Sequence, residues 1–268
     1  VLAVAAAGRS AWALVARCHG RGQRAGPRSG QCPLRLIVSA DGGRTWHAAR
    51  LPGASVPGLG GQPAGPAELV RTSARTAYVL TSPGRTSRLW ITRDGGASWT
   101  RRPVPCGLAA MSAGLAVAPD GTIVVVCAGQ PSAGGQVKTL AWSADGGRTW
   151  TVHRPCRAGT GTGCAPLGFG YLGQIAAPAG RTVFLTGPRS SLLVTRDGGR
   201  AWHLVRPVIG DSGGGTGAVA FFGRADRDGQ ADRDGVVFGY DPRHNEQPAI
   251  WHTADGGAHW RVVYPVLT

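Results

Sequence analysis

Ser39-Ala40-Asp41-Gly42-Gly43-Arg44-Thr45-Trp46 decides how this 268-residue chain is read, because four close copies follow it. They are Thr92-Arg93-Asp94-Gly95-Gly96-Ala97-Ser98-Trp99 and the octapeptides Ser143 to Trp150, Thr195 to Trp202 and Thr253 to Trp260. From aspartate to aspartate the steps are 53, 51, 52 and 58 residues. An aspartate followed by two glycines supplies an acceptor for nearby backbone N–H groups and residues that tolerate positive φ, the chemistry of a tight hairpin. The tryptophan then opens the outgoing strand, where its ring can be buried between sheets and its indole N–H can reach a carbonyl.

A period of about 50 residues filled with short apolar runs and turn signals predicts an all-β propeller of four-stranded antiparallel blades. Five repeats fit, at about 1–52, 67–105, 113–156, 173–207 and 217–268, in one domain. In phase, the inner strand A is expected at Leu2 to Ala6, Glu68 to Arg71, Leu115 to Ala118, Gln174 to Ala177 and Ala218 to Phe222. Strand B is expected at Trp12 to Ala16, Ala77 to Thr81, Ile123 to Cys127, Thr182 to Thr186 and Val236 to Tyr240. Strand C runs into the octapeptide, as in Leu34 to Ser39, and strand D leaves it through the tryptophan. The chain starts at an A strand and ends after a D strand, so either the ring closes by packing alone or sequence upstream is missing.

The pattern Ser/Thr-x-Asp-x-Gly-x-Ser/Thr-Trp resembles the Asp-box, or BNR repeat, of sialidases, sortilin-type receptors, endoglucanase-like hydrolases and photosystem assembly factors. The resemblance spans almost the whole chain. It implies a propeller and no particular activity, because the box is shared by unrelated functions. Asp41, Trp46, Asp94, Trp99, Asp145, Trp150, Asp197, Trp202, Asp255 and Trp260 are its structural residues. Ala201 and His259 stand where Thr or Ser is usual, so those two turns should lose a hydroxyl and be slightly weaker.

Composition bounds the rest. Apolar residues at 42%, with 44 glycines and 19 prolines, suit many short strands, and no apolar run is long enough to span a membrane. Six cysteines without a Cys-x-x-Cys pair point to disulfides and an oxidising, secreted or cell-envelope location rather than a zinc site. Pairing Cys18 with Cys32, Cys106 with Cys127 and Cys156 with Cys164 needs no crossing between distant blades. The formal charge of +15 comes from arginine almost alone, since Lys138 is the sole lysine. It indicates an anionic partner or a compositional bias of the coding DNA.

Antiparallel order puts the A–B and C–D turns at one end of every sheet and the B–C and D–A connections at the other. Ten of the 14 carboxylates fall at the box end, leaving Asp211, Asp241, Glu246 and Glu68 for the loop end. That end carries the long connections and many arginines, among them Arg21, Arg24, Arg28, Arg85, Arg88, Arg102, Arg154, Arg157, Arg189 and Arg243. Long loops on a rigid scaffold are where binding and catalysis usually sit. Nucleic acid is a poor candidate, since exposed aromatics interleaved with these arginines are scarce.

Two chemical sites are conceivable. Asp226, Asp228, Asp232 and Asp234 lie in a doubled Ala-Asp-Arg-Asp-Gly between strands A and B of the fifth repeat, with the alternation and glycines of a weak calcium loop. A plain polar hairpin explains the same residues, and no other cofactor is implied. A sialidase would need an arginine triad and a Tyr/Glu pair, and its Phe/Tyr-Arg-Ile-Pro segment is not found. Any two-carboxylate glycosidase would have to draw on Asp211, Asp241, Glu246 and Glu68. The expected function is therefore that of an exported, non-catalytic, monomeric propeller binding a protein partner or an anionic cell-wall polymer through its arginine-rich end. A glycoside hydrolase is the alternative.

Overall fold

The computed structural model describes residues 1–18, 30–59, 62–63, 67–82, 87–106, 110–132, 135–153, 170–210, 215–222, 233–241 and 247–263. Among them every regular element is a strand, and the strands form five separate antiparallel sheets in sequence order. The first sheet holds β1 (Ala3–Ala7), β2 (Ser10–Ala16) and β3 (Gln31–Ser39), with β4 (His47–Ala49), β5 (Ser55–Leu59) and β6 (Gln62–Pro63) outside them. The second is β7 (Ala67–Arg71), β8 (Ala77–Thr81), β9 (Ser87–Thr92) and β10 (Thr100–Val104). The third is β11 (Ser112–Val117), β12 (Ile123–Ala128), β13 (Lys138–Ser143) and β14 (Thr151–His153). The fourth is β15 (Ile175–Ala179), β16 (Thr182–Gly187), β17 (Ser190–Thr195) and β18 (His203–Leu204). The fifth is β19 (Val219–Phe222), β20 (Asp234–Asp241), β21 (Gln247–Thr253) and β22 (Arg261–Val263). These are the expected blades, each a four-position meander. The chain divides into two compact units, Val1–Leu115 and Ala116–Thr268.

Two details differ from the expectation. The outer position of the first sheet is shared: β4 pairs with the box-end half of β3, and β5 pairs with its beginning, Cys32 opposite Val56. Part of the segment expected to be a D–A loop is thus strand, because Leu51, Ala54 and Val56 are apolar and buried against the sheet. The box tryptophans are also not uniformly buried. Trp260 is 6% exposed, Trp99, Trp150 and Trp202 are half-buried, and Trp46 is 42% exposed.

The reason lies in what each ring meets. Trp99 approaches Trp12 of the preceding sheet, and Trp260 packs edge-on to Phe184 of the sheet before its own. In both pairs the partner ring lies on the B strand of the preceding sheet, β2 for Trp99 and β16 for Trp260. The cores follow the same rule. Trp12, Leu14, Leu34 and Leu36 pack with Leu69, Val79 and Trp90, while Phe184, Leu192 and Val194 pack with Val219, Val237, Trp251 and Trp260. Each fully buried side chain of this size contributes about 1.5–3 kcal/mol.

The box turns are built as their residue types require. In the first, Ser39 Oγ donates to Asp41 Oδ1 at 2.7 Å and accepts the Gly43 N–H at 2.8 Å. Asp41 in turn accepts the N–H groups of Arg44 and Thr45 and the Thr45 hydroxyl. The first glycine of the box donates to the carbonyl of Arg9, Arg75, Arg181 or Arg233 in four sheets. Those residues sit in or beside the A–B connection, which places both turns at one end as the strand order demands. At the fifth box the expectation fails, because the His259 ring replaces the missing hydroxyl, its Nδ1 lying 2.6 Å from Asp255 Oδ2. At the fourth nothing replaces the hydroxyl: Ala201 contributes only its N–H to Asp197.

These donors make the boxes acid-sensitive. The Thr45, Ser98 and Thr149 hydroxyls, with their own N–H groups, hold Asp41, Asp94 and Asp145 well below the usual carboxylate range. The Ala201 N–H lowers Asp197. At Asp255 burial pushes upward, but the His259 N–H, the His259 ring and Thr253 outweigh it and hold the carboxyl at about 2. A carboxyl depressed on folding stabilises fully above its unfolded pKa of about 3.9, and that contribution is lost as pH falls through the native value. The melting temperature is therefore expected to fall between about pH 4 and pH 2 through the boxes. Asp94→Asn should flatten part of that fall in circular-dichroism melts; an unchanged acid slope would refute the assignment.

Candidate binding surface at the loop end

The opposite end of the sheets carries the candidate site. Cys18 and Cys32 are joined there, with S–S 2.03 Å, tying the end of β2 to the start of β3 as expected. Cys106 and Cys127 are both disulfide-bonded, and none of the described cysteines is free. Cys156 and Cys164 lie outside the described residues.

In the first unit basic charge accumulates. Residues 1–115 hold 15 of the arginines and three carboxylates, Asp41, Glu68 and Asp94, two of which are consumed by box turns. Among the described residues no arginine lies within ion-pair distance of a carboxylate, while His252 faces Asp234 at 3.5 Å and His259 faces Asp255. Arg71 is structural: its guanidinium lies 4.4 Å over Trp12 and donates to Ser10, Ser73 and Ala74. Arg17, Arg35 and Arg50 are exposed. Arg88 and Arg102 are half-buried on β9 and β10, and the buried Nε of Arg102 has no hydrogen-bond partner. Sequence reading passed over Arg17 and Arg35, whose only signal was position at or near the loop end of β2 and β3.

The second unit is different in kind. Lys138 is buried on β13, and its Nζ donates to the carbonyls of Gln136 and Gly170, each at 3.1 Å. Burial pushes this ammonium down to about 8, so the sole lysine works inside the protein, not at its surface. Beside it, Gln136 accepts the Leu172 N–H at 2.8 Å. Arg189 is exposed in the turn between β16 and β17. Near that turn opens a cavity of about 400 Å³ whose walls include Pro188, Phe238, Tyr240, Pro248 and Ile250.

Of the described candidate catalytic carboxylates, Glu68 lies on its expected strand and Asp241 lies in a strand instead of a loop. Glu68 is a residue of β7 paired opposite Leu80, half-buried, and burial pushes its carboxyl up to about 7. Asp241 is the last residue of β20, paired with Gln247 and fully buried, because the strand runs further than the apolar pattern alone indicated. Asp211 and Glu246 lie outside the described residues. So do Arg21, Arg24, Arg28, Arg85, Arg154, Arg157 and Arg243, and also Asp226, Asp228 and Asp232. Asp234 begins β20 and faces His252, and no group of metal-ligating side chains occurs among the described residues.

No protein-family model and no curated protein matches the sequence. Solved structures do. YCF48 bound to a D1 peptide aligns with TM-score 0.51 at 15% identity, over 99% of this chain and 67% of that one. The GH74 xyloglucanase from Xanthomonas campestris aligns with TM-score 0.53 at 18% identity, over 98% of this chain and 38% of that one. Trypanosoma rangeli sialidase in complex with an inhibitor gives 0.50 at 11% identity, over 99% and 48%. The chain therefore has the β-propeller fold of these proteins. Similarity at these identities defines the fold and no activity, since the same scaffold is found in a protein bound to a D1 peptide, a xyloglucanase and a sialidase.

Proposed function

We propose that this is an exported propeller that binds an acidic protein partner through the arginines at its loop end, without catalysis. The observation that carries the reading is that no described arginine is paired with a carboxylate, while every box aspartate is committed to its turn. Unmatched guanidinium groups on a rigid end attract a negative surface and set its orientation. The disulfides fit an oxidising, extracytoplasmic compartment. YCF48, a protein of this fold, binds a peptide, which supports a protein partner over a polymer. Calcium at the Asp226–Asp234 segment would be accessory to this role.

Immobilised poly-L-glutamate tests the reading by interferometry. The chain should bind, with affinity falling as salt rises, and Arg88→Glu with Arg102→Glu should weaken it about tenfold. Arg44→Glu, at the box end, should change it less than about twofold. Equal losses from both ends would defeat the proposal. The hydrolase alternative keeps one favourable observation, the Glu68 carboxyl at about 7, a value suited to a general acid. Glycan turnover abolished by Glu68→Gln would favour it.

A further inference from the structure

We infer that the cavity between the β16–β17 turn and the β20–β21 hairpin binds an acidic peptide segment, taking one large apolar side chain into the cavity and a flanking carboxylate onto Arg189. The inference rests on the partner-binding reading and adds a specific site to it.

Two independent observations meet here. The first is the cavity: about 400 Å³, apolar, walled by Pro188, Phe238, Tyr240, Pro248 and Ile250 with bare backbone at Gly217. Phe238 is 51% exposed, which leaves an aromatic face open to solvent where a packed strand would normally cover it. The volume lies in the range of small-ligand and side-chain pockets.

The second is Arg189. Gly187 pairs with Ser190, so Pro188 and Arg189 are the two residues of a tight hairpin, and Arg189 has φ 58°. Proline first and a left-handed residue second is the type II arrangement, whose second position favours glycine. Every other described residue with positive φ is a glycine. The turn is held from outside. Thr216 accepts the Gly187 N–H at 3.1 Å and donates to Ser190 O at 3.0 Å, while its own N–H donates to Gly187 O at 3.0 Å. Tyr171 N–H donates to Pro188 O at 3.0 Å. Non-glycine residues kept in such a conformation by their surroundings concentrate at binding sites. Here the cation so displayed neighbours a wall of the cavity, which defines a ligand with one apolar group and one negative charge.

The 268-residue chain, labelled with ¹⁵N, is titrated with acetyl-Glu-Phe-Glu-amide, acetyl-Lys-Phe-Lys-amide and acetyl-Glu-Ala-Glu-amide. The first should shift the Gly215, Gly217 and Gly239 amides and bind at least about tenfold tighter than the other two. Ile250→Trp, which fills the cavity, should abolish the shifts. Arg189→Gly should weaken binding at least about fivefold without lowering the melting temperature, because glycine adopts the turn freely. If Arg189→Gly does melt lower, Arg189→Lys must restore binding. Unchanged binding in Arg189→Gly, no rescue by lysine, or equal binding of the three peptides overturns the inference, as would cellotetraose shifting the same amides independently of Arg189. Retention on poly-L-glutamate without peptide binding at the cavity would sink this site and leave the broader reading standing.

Discussion

Gly257→Ala is expected to destabilise the second unit by about 3 kcal/mol or more, lowering the melting temperature by roughly 10 °C. Gly257 has φ +84, and a Cβ built there would collide with the Phe184 ring. Two costs combine: a backbone conformation that a Cβ penalises, and an overpacked aromatic that cannot retreat, since Phe184 is fully buried. Gly43 is the matched control. Its φ is +88, but the nearest atom to its would-be Cβ is its own Trp46 at 3.7 Å, an ordinary contact. Gly43→Ala should therefore cost only about 1 kcal/mol, the backbone part alone. Thermal melts of both variants decide the matter. Equal losses would mean that the glycines are there for the turn only and not for the approach between sheets.

Trp260→Ala should be the costlier of the tryptophan truncations, at about 3–5 kcal/mol. Its ring lies 5.8 Å from Phe184 and 6.1 Å from Phe221, both edge-on, and its indole N–H reaches Gly257 O at 3.2 Å. Removing it leaves a cavity walled by rings that cannot close over it. Trp46 keeps the same local bond, to Gly43 O at 2.9 Å, yet is largely in solvent. Trp46→Ala should cost less than about 1 kcal/mol. Urea unfolding of the two variants gives the comparison, and a Trp46 effect as large as that of Trp260 would mean that its ring is covered in solution.

Much of the blade plan was legible because it is local. Ala77–Thr81 was marked as strand to the residue, since β-branched and aromatic residues between turn signals leave little choice. Asp94 and its partners could be assigned roles because every donor lies within four residues. His259 was misjudged for the converse reason: an imidazole in the hydroxyl position reads as a loss until its ring is seen on Asp255. Glu68 stands on its expected strand opposite Leu80, whereas Asp241 looked like a loop carboxylate until pairing with Gln247 extended β20 to include it.

From the sequence alone came the repeat, its period, the antiparallel order and hence the division into a box end and a loop end, all of which depend on contacts short in the chain. The charge imbalance was equally visible, being a matter of composition. Which tryptophans are buried, which arginines are structural and where a cavity opens were decided only in the tertiary structure. Arg71 and Arg88 look alike in sequence, yet one stacks on Trp12 from 59 positions earlier. Lys138 gives up its surface charge to a carbonyl 32 residues away. Arg189 was one loop-end arginine among ten in the sequence, and only the structure sets it apart, with Thr216 holding its turn in a glycine's conformation. Such contacts join residues distant in the chain, and their geometry follows from how whole sheets pack, which no local pattern encodes.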